Sequence, residues 1–101
     1  DLSIGAGLSV TDGEYLPIVK VAPSYPSAAM SRGLEGYVIL EYTVTRQGTV
    51  RDPVVIESSS SLFERSAIRS AERYKYKPRV IDGQPVEVPG VRTKISFKLA
   101  E

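Results

Sequence analysis

Three stretches hold the residue types from which chemistry is made. Ser58 to Ser61 is a run of four serines. A serine hydroxyl becomes a nucleophile only when a neighbouring base takes its proton. The chain has no histidine and no recognisable Ser-Lys motif, so the run reads as a loop leading into a helix. Asp52 and Glu57 offer paired carboxylates, but on or beside a strand they read as solvated charges rather than an acid/base couple. With neither His nor Cys, and no Asp-rich calcium loop, metal binding is poorly served. No Gly-rich stretch matches a phosphate loop. Catalysis is not indicated, and neither a metal nor another cofactor is expected.

The second stretch is Arg73-Tyr74-Lys75-Tyr76-Lys77-Pro78-Arg79. Aromatics interleaved with cations can stack bases and neutralise phosphates. The plainer reading is that Tyr74 continues a buried helical stripe while cations in the last turn complement the helix dipole. Thirteen basic residues against twelve acidic ones leave a net charge of +1. That balance gives no overall drive toward nucleic acid or an anionic membrane, so no nucleic-acid partner is expected.

The third stretch is Val91-Arg92-Thr93-Lys94-Ile95-Ser96-Phe97-Lys98, running on to Leu99. Val91, Thr93, Ile95, Phe97 and Leu99 alternate with Arg92, Lys94, Ser96 and Lys98, the signature of a half-exposed strand. If this strand lies at a sheet edge, it presents a row of unpaired amides and carbonyls. Its cations then either protect that edge or steer an extended acidic or polar peptide that adds as a further strand. The residues alone leave these two readings even.

Around these stretches stand the elements that must position them. Tyr37 to Val44 is dense in β-branched and aromatic residues. Val38, Leu40, Tyr42 and Val44 fall on one apolar face. Gln47-Gly48 then joins this run to Thr49–Glu57 as a hairpin, with Gly48 supplying the positive φ of a short loop. Pro26 suits the first turn of a short helix over Ser27–Arg32, closed by Gly33. Ser61-Leu62-Phe63-Glu64 has the form of a capping box. It opens a helix with Phe63, Ala67, Ala71 and Tyr74 at helical spacing, expected to end near Tyr76 before Pro78. Asp82-Gly83 marks a small hairpin excursion. Leu16–Val21 is a short extended run whose Pro17 suits only an edge or lone strand, and Ala22-Pro23-Ser24-Tyr25-Pro26 is a stiff connector.

The element order is helix, strand, strand, helix, strand. We expect an α+β domain: a three-stranded antiparallel sheet in order 2-1-3 with both helices on one face. One hundred and one residues suit one domain, here 16–101, with 1–15 as a glycine-containing lead-in or the end of a linker. No run approaches the roughly 18 apolar residues of a membrane span. The chain opens on Asp1 rather than Met, which reads as a fragment or a processed piece.

At this point several motifs converge. Tyr25-Pro26 precedes a short helix, Glu35-Gly36-Tyr37-Val38 opens a strand, and Gly48-Thr49-Val50 opens its partner. Phe63-Glu64 lies in the second helix and Tyr74-Lys75-Tyr76-Lys77-Pro78 at its end. In this order, from about Leu16 to Leu99, they resemble the TonB C-terminal domain. The resemblance implies the periplasmic module of a Gram-negative inner-membrane energy transducer that works with ExbB and ExbD through regions outside this chain. It also implies binding to the TonB box of outer-membrane receptors for iron-siderophores, haem or vitamin B12. In the family the box pairs with the last strand, here residues 91–98, and the segment before Tyr25-Pro26 contacts it. Ala22, Pro23, Ser24 and Tyr25 therefore join the expected binding site. Ala22, Pro23 and Ser24 stand where glutamine-rich residues are often found, and Ala28 where some members carry a basic residue. The excursion over 81–90 resembles that of the shorter, second-type TonB proteins. The rival readings are a TolA-like envelope adaptor and a ferredoxin-like nucleic-acid-binding sheet. A free edge also invites pairing between two copies, so monomer and homodimer both stay open.

Overall fold

A computed structural model describes residues 15–100. Of the lead-in expected over residues 1–15, residues 1–14 lie outside the described residues.

The apolar alternation of Val38, Leu40, Tyr42 and Val44 places the first strand, β1 (Gly36–Val44), at the centre of the sheet. The second strand, β2 (Val50–Ser58), and the long last strand, β5 (Val88–Phe97), flank it as antiparallel partners. The order β2-β1-β5 is the expected 2-1-3 arrangement. The helices α1 (Ser27–Ser31) and α2 (Glu64–Ala71), with a turn of 3₁₀ helix at Ser61–Phe63, cover one face. Between the layers lie Val38, Leu40, Val91, Ile95 and Phe97 from the sheet, and Ala29, Phe63, Ala67 and Ala71 from the helices. Phe63 stacks on Phe97 at 4.6 Å between ring centroids. Tyr25 packs edge-on against both rings at 5.9 Å.

The hairpin turn depends on Gly48, which has φ 85°. Its backbone touches Tyr76: the Tyr76 amide donates to the Gly48 carbonyl at 2.8 Å, and a Cβ on Gly48 would sit 2.1 Å from the Tyr76 carbonyl oxygen. Only a residue without a side chain fits there.

Two expectations about the second helix need correction. The helix ends at Ala71, five residues before Tyr76. Tyr74 and Tyr76 are both buried with Lys75 exposed between them. A helix would turn residues two apart to different sides, whereas extended chain turns both inward. Lys75 instead bridges Val19 and Thr49 as isolated strand pairs. The capping box is also displaced. The N-cap is Ser60, whose side chain accepts from the Leu62 amide at 3.2 Å, and Glu64 accepts from the Ser58 hydroxyl at 2.5 Å instead of folding back onto Ser61. The 3₁₀ turn before α2 shifts the helix start by one residue and points Glu64 at the loop.

Asp82 and Gly83, both at positive φ, turn the chain between β3 (Arg79–Ile81) and β4 (Gln84–Val86), as expected of a type I′ hairpin. At its base Arg51 on β2 grips Glu87 with both terminal guanidinium nitrogens. These hydrogen bonds, ahead of every other influence, hold the Glu87 carboxyl below the usual glutamate range.

Candidate functional site

The sheet has two edges, and they are built differently. β2 is broken twice against β1, at Ile39/Leu40 and at Glu41/Thr43. The second irregularity contains Asp52 at φ 55° and Pro53, which has no amide to donate. Bulges and proline are the usual means of preventing an edge from pairing with another chain. β5 has no such device over most of its length: its register against β1 runs unbroken from Gly36↔Phe97 to Tyr42↔Val91. The one irregularity lies further back, where Gly90 takes φ 71°.

The direction of each β5 backbone group follows from the ladder. Tyr37 accepts from the Ser59 amide at 3.0 Å and Thr45 donates to the Thr49 carbonyl at 2.8 Å, so odd-numbered residues of β1 face β2. Its even-numbered residues therefore face β5. They pair with Val91, Thr93, Ile95 and Phe97. Arg92, Lys94 and Ser96 turn amide and carbonyl to the other side, where no strand pairs among the described residues. Their side chains point to the outer face of the sheet. There Arg92 pairs with Glu41 at 2.9 Å, and the Lys94 ammonium lies over the Tyr37 ring at 4.8 Å from its centroid. The hydrogen bond from Tyr37 to the Glu57 carboxylate is the main influence pushing its phenol above the usual range, so the ring under Lys94 stays neutral.

Facing this free edge is the segment Lys20–Ser24. Between them lies a groove of about 440 Å³ walled by Val21, Ala22, Pro23, Tyr74 and residues 94–96, with Lys20 at its border. Two serines of α2, one turn apart, tie the segment to the helix. Ser70 donates to the Val21 carbonyl and Ser66 to the Ser24 carbonyl. Further back, the Ile18 amide donates to the Lys75 carbonyl at 2.7 Å and the Lys75 amide to the Val19 carbonyl at 3.0 Å. The segment is held at both ends and cannot collapse onto β5.

Two parts of the chain some 70 residues apart in sequence are thus brought to one groove. Lys94, Ile95 and Ser96 line it directly with Ala22 and Pro23. Arg92 lies along the same edge, while Val91, Thr93 and Phe97 turn their side chains into the core. Lys98 is exposed just beyond the strand. Ser24 lines the neighbouring hollow against α2, not this groove. Tyr25 is committed elsewhere, its hydroxyl donating to the Leu34 carbonyl and its ring wedged against Phe63 and Phe97. Lys20, Val21 and Tyr74 line the groove without having been expected there, and Ser66 and Ser70 were not expected to shape it. The only sequence signal for the serines is their spacing of four on an otherwise apolar helix face.

Comparison with known proteins gives this geometry a family. The model of the Gram-negative bacterial TonB protein C-terminal family matches residues 21–99. The chain belongs to that family. The TonB C-terminal match spans both walls of the groove and takes precedence over the TolA-like and nucleic-acid-binding readings. TonB of Pseudomonas aeruginosa is 34% identical over 79 residues, covering 77% of this chain and 23% of that protein. TonB of Vibrio cholerae is 31% identical over 91 residues, covering 89% of this chain and 37% of the other. The chain thus spans well under half the length of these relatives. Among solved structures it is similar to the TonB CTD of Pseudomonas aeruginosa, at a TM-score of 0.68 and 31% identity over 84% of this chain and 86% of that one. The TonB2 protein of Vibrio anguillarum gives a TM-score of 0.64 at 31% identity, covering 100% of this chain and 92% of the other.

Proposed function

We propose that this TonB-family domain captures a short extended segment, the TonB box, of outer-membrane receptors by adding it as a fourth strand along the free edge of β5. The single observation that carries the reading is the contrast between the edges: β2 is bulged and proline-blocked, while β5 is regular from Val91 to Phe97. Main-chain hydrogen bonds to Arg92, Lys94 and Ser96 supply the affinity, and the groove beside residues 20–23 supplies side-chain selection.

The domain works in the periplasm as the terminal part of a transducer anchored in the inner membrane. Regions outside this chain engage ExbB and ExbD, and the energy of the proton gradient arrives as a pull. Pulling along the strand axis loads several hydrogen bonds together, so modest affinity suffices to transmit force to receptors for iron-siderophores, haem or vitamin B12. The domain binds; it does not catalyse, and the groove calls for no cofactor. Monomer and homodimer remain distinct predictions of the same edge, since a second copy could occupy it in place of a receptor. The test is titration of the isotope-labelled chain with a TonB-box peptide, followed by amide chemical shifts. Shifts along residues 91–98 support the reading, and shifts that spare those residues sink it.

A further inference from the structure

Behind the segment Lys20–Ser24, on the side away from β5, lies a second hollow of about 290 Å³. Its walls are the segment itself and the exposed side of α2, with Arg69 on the helix and Arg73 in the turn that follows its end. It shares Val21, Ala22 and Pro23 with the groove along β5, so the two depressions meet across one strip of chain. The charge here is local, because the whole chain is balanced at +1. Neither arginine makes an ion pair among the described residues. Glu72 is the sole carboxylate lining the hollow among the described residues. Arg65 continues the basic line one turn earlier on the exposed side of α2. The Ser66 and Ser70 hydroxyls are already engaged by backbone carbonyls, so among the described residues the side-chain donors left to the hollow are the two guanidinium groups and the Ser24 hydroxyl.

Two guanidinium forks bordering a concave, partly polar space fit the planar carboxylate of an Asp or Glu side chain, which accepts paired hydrogen bonds from arginine. We propose that Arg69 and Arg73 form a carboxylate-binding subsite for an acidic residue of the same polypeptide that supplies the added strand. The inference rests on strand addition to β5, and continuity of the hollow with that groove identifies the occupant as the partner's chain. Strand pairing reads backbone and is indifferent to sequence, so this subsite supplies a selectivity that the edge alone lacks.

The test uses four peptides: one extended, alternating apolar-polar segment carrying an Asp pair at its N-terminal or its C-terminal end, and the same two with Asn in place of Asp. Each is titrated into the unaltered chain and into the double variant R69Q/R73Q, by calorimetry and by amide shifts, at low and at physiological salt. Both arginines are exposed, so the variant keeps the folded spectrum. One Asp peptide is expected to bind the unaltered chain about five- to tenfold more tightly than its Asn counterpart at low salt. That advantage vanishes in the variant, while the Asn peptides bind both proteins alike and still shift residues 91–97. Equal binding of Asp and Asn peptides, or an advantage that survives in the variant, overturns the subsite. So does full competition by inorganic phosphate at millimolar concentration, which would mark a general anion hollow. If no peptide moves residues 91–97, it is strand addition itself that fails.

Discussion

Proline at alternate positions of β5 should separate folding from binding, because the ladder assigns each amide to one side. Lys94 and Ser96 turn their amides to the free edge, whereas Ile95 donates toward Val38 on the central strand. Lys94→Pro or Ser96→Pro removes a donor that the folded domain does not use, at the kind of edge position where proline is tolerated. The expected loss of stability is about 1 kcal/mol for Ser96→Pro, from the narrowed φ, and about 1–2 kcal/mol for Lys94→Pro, which also loses the contact with the Tyr37 ring. Ile95→Pro also removes a buried side chain, 4% exposed, and strands a buried acceptor. Its cost is about 3–8 kcal/mol, the sum of about 2–5 for the truncation and about 1–3 for the orphaned group. That is comparable to half the stability of a typical domain, about 5–15 kcal/mol in all. For binding, the outward positions each lose one main-chain bond and place a ring against the incoming strand. A loss of about 1–3 kcal/mol weakens a receptor-segment peptide by about 5- to 150-fold. Urea unfolding and peptide titration on the same three variants give both numbers. If Lys94→Pro unfolds the chain as badly as Ile95→Pro, the assignment of free amides is wrong. If Lys94→Pro and Ser96→Pro both bind normally, the edge is not the site.

Other positions give independent checks. Gly48→Ala should cost about 3 kcal/mol or more, from the left-handed backbone and the close Tyr76 carbonyl, and should lower the urea midpoint accordingly. Phe63→Ala should cost about 3–5 kcal/mol, since its ring is fully buried against Phe97 and Tyr25. Ser70→Ala should cost about 1 kcal/mol and loosen residues 20–24, seen as faster hydrogen exchange there and weaker peptide binding with the sheet intact. The Glu87 carboxyl has a folded-state pKa below its unfolded value, so its pairing with Arg51 contributes stability that is present above about pH 4.3. That contribution fades as pH falls through the lowered value, and amide shifts of β3 and β4 should report the hairpin loosening in that range before the central sheet responds. Unchanged hairpin shifts down to global acid unfolding would contradict it.

Much of this fold could be read from residue order, for reasons that differ between elements. Period-two alternation in β1 and β5 is unambiguous because one face of each is buried and the other is not. Gly33, Gly48 and Gly83 sit at positive φ where turns were expected. The end of α2 was not legible, because Tyr74 and Tyr76 satisfy a helical stripe on paper and their inward extended geometry depends on Lys75 pairing with Val19 and Thr49. Nor were the breaks in β2. Asp52-Pro53 reads as an ordinary interruption until the register shows it disarming an edge. The candidate site was half visible. The alternation of residues 91–98 points to an exposed strand, but the groove exists only because Ser66 and Ser70 hold a distant segment away from it, and nothing in the spacing of either serine names its backbone partner.

Hydrogen exchange on the amides of β5, with and without a receptor-segment peptide, tests the central claim most directly. Strand addition predicts that Arg92, Lys94 and Ser96 exchange readily in the free domain and become protected on binding. Val91, Thr93 and Ile95, already bonded to β1, should change little. Protection appearing along β2, or none at Arg92, Lys94 and Ser96 when the peptide is bound, would contradict it.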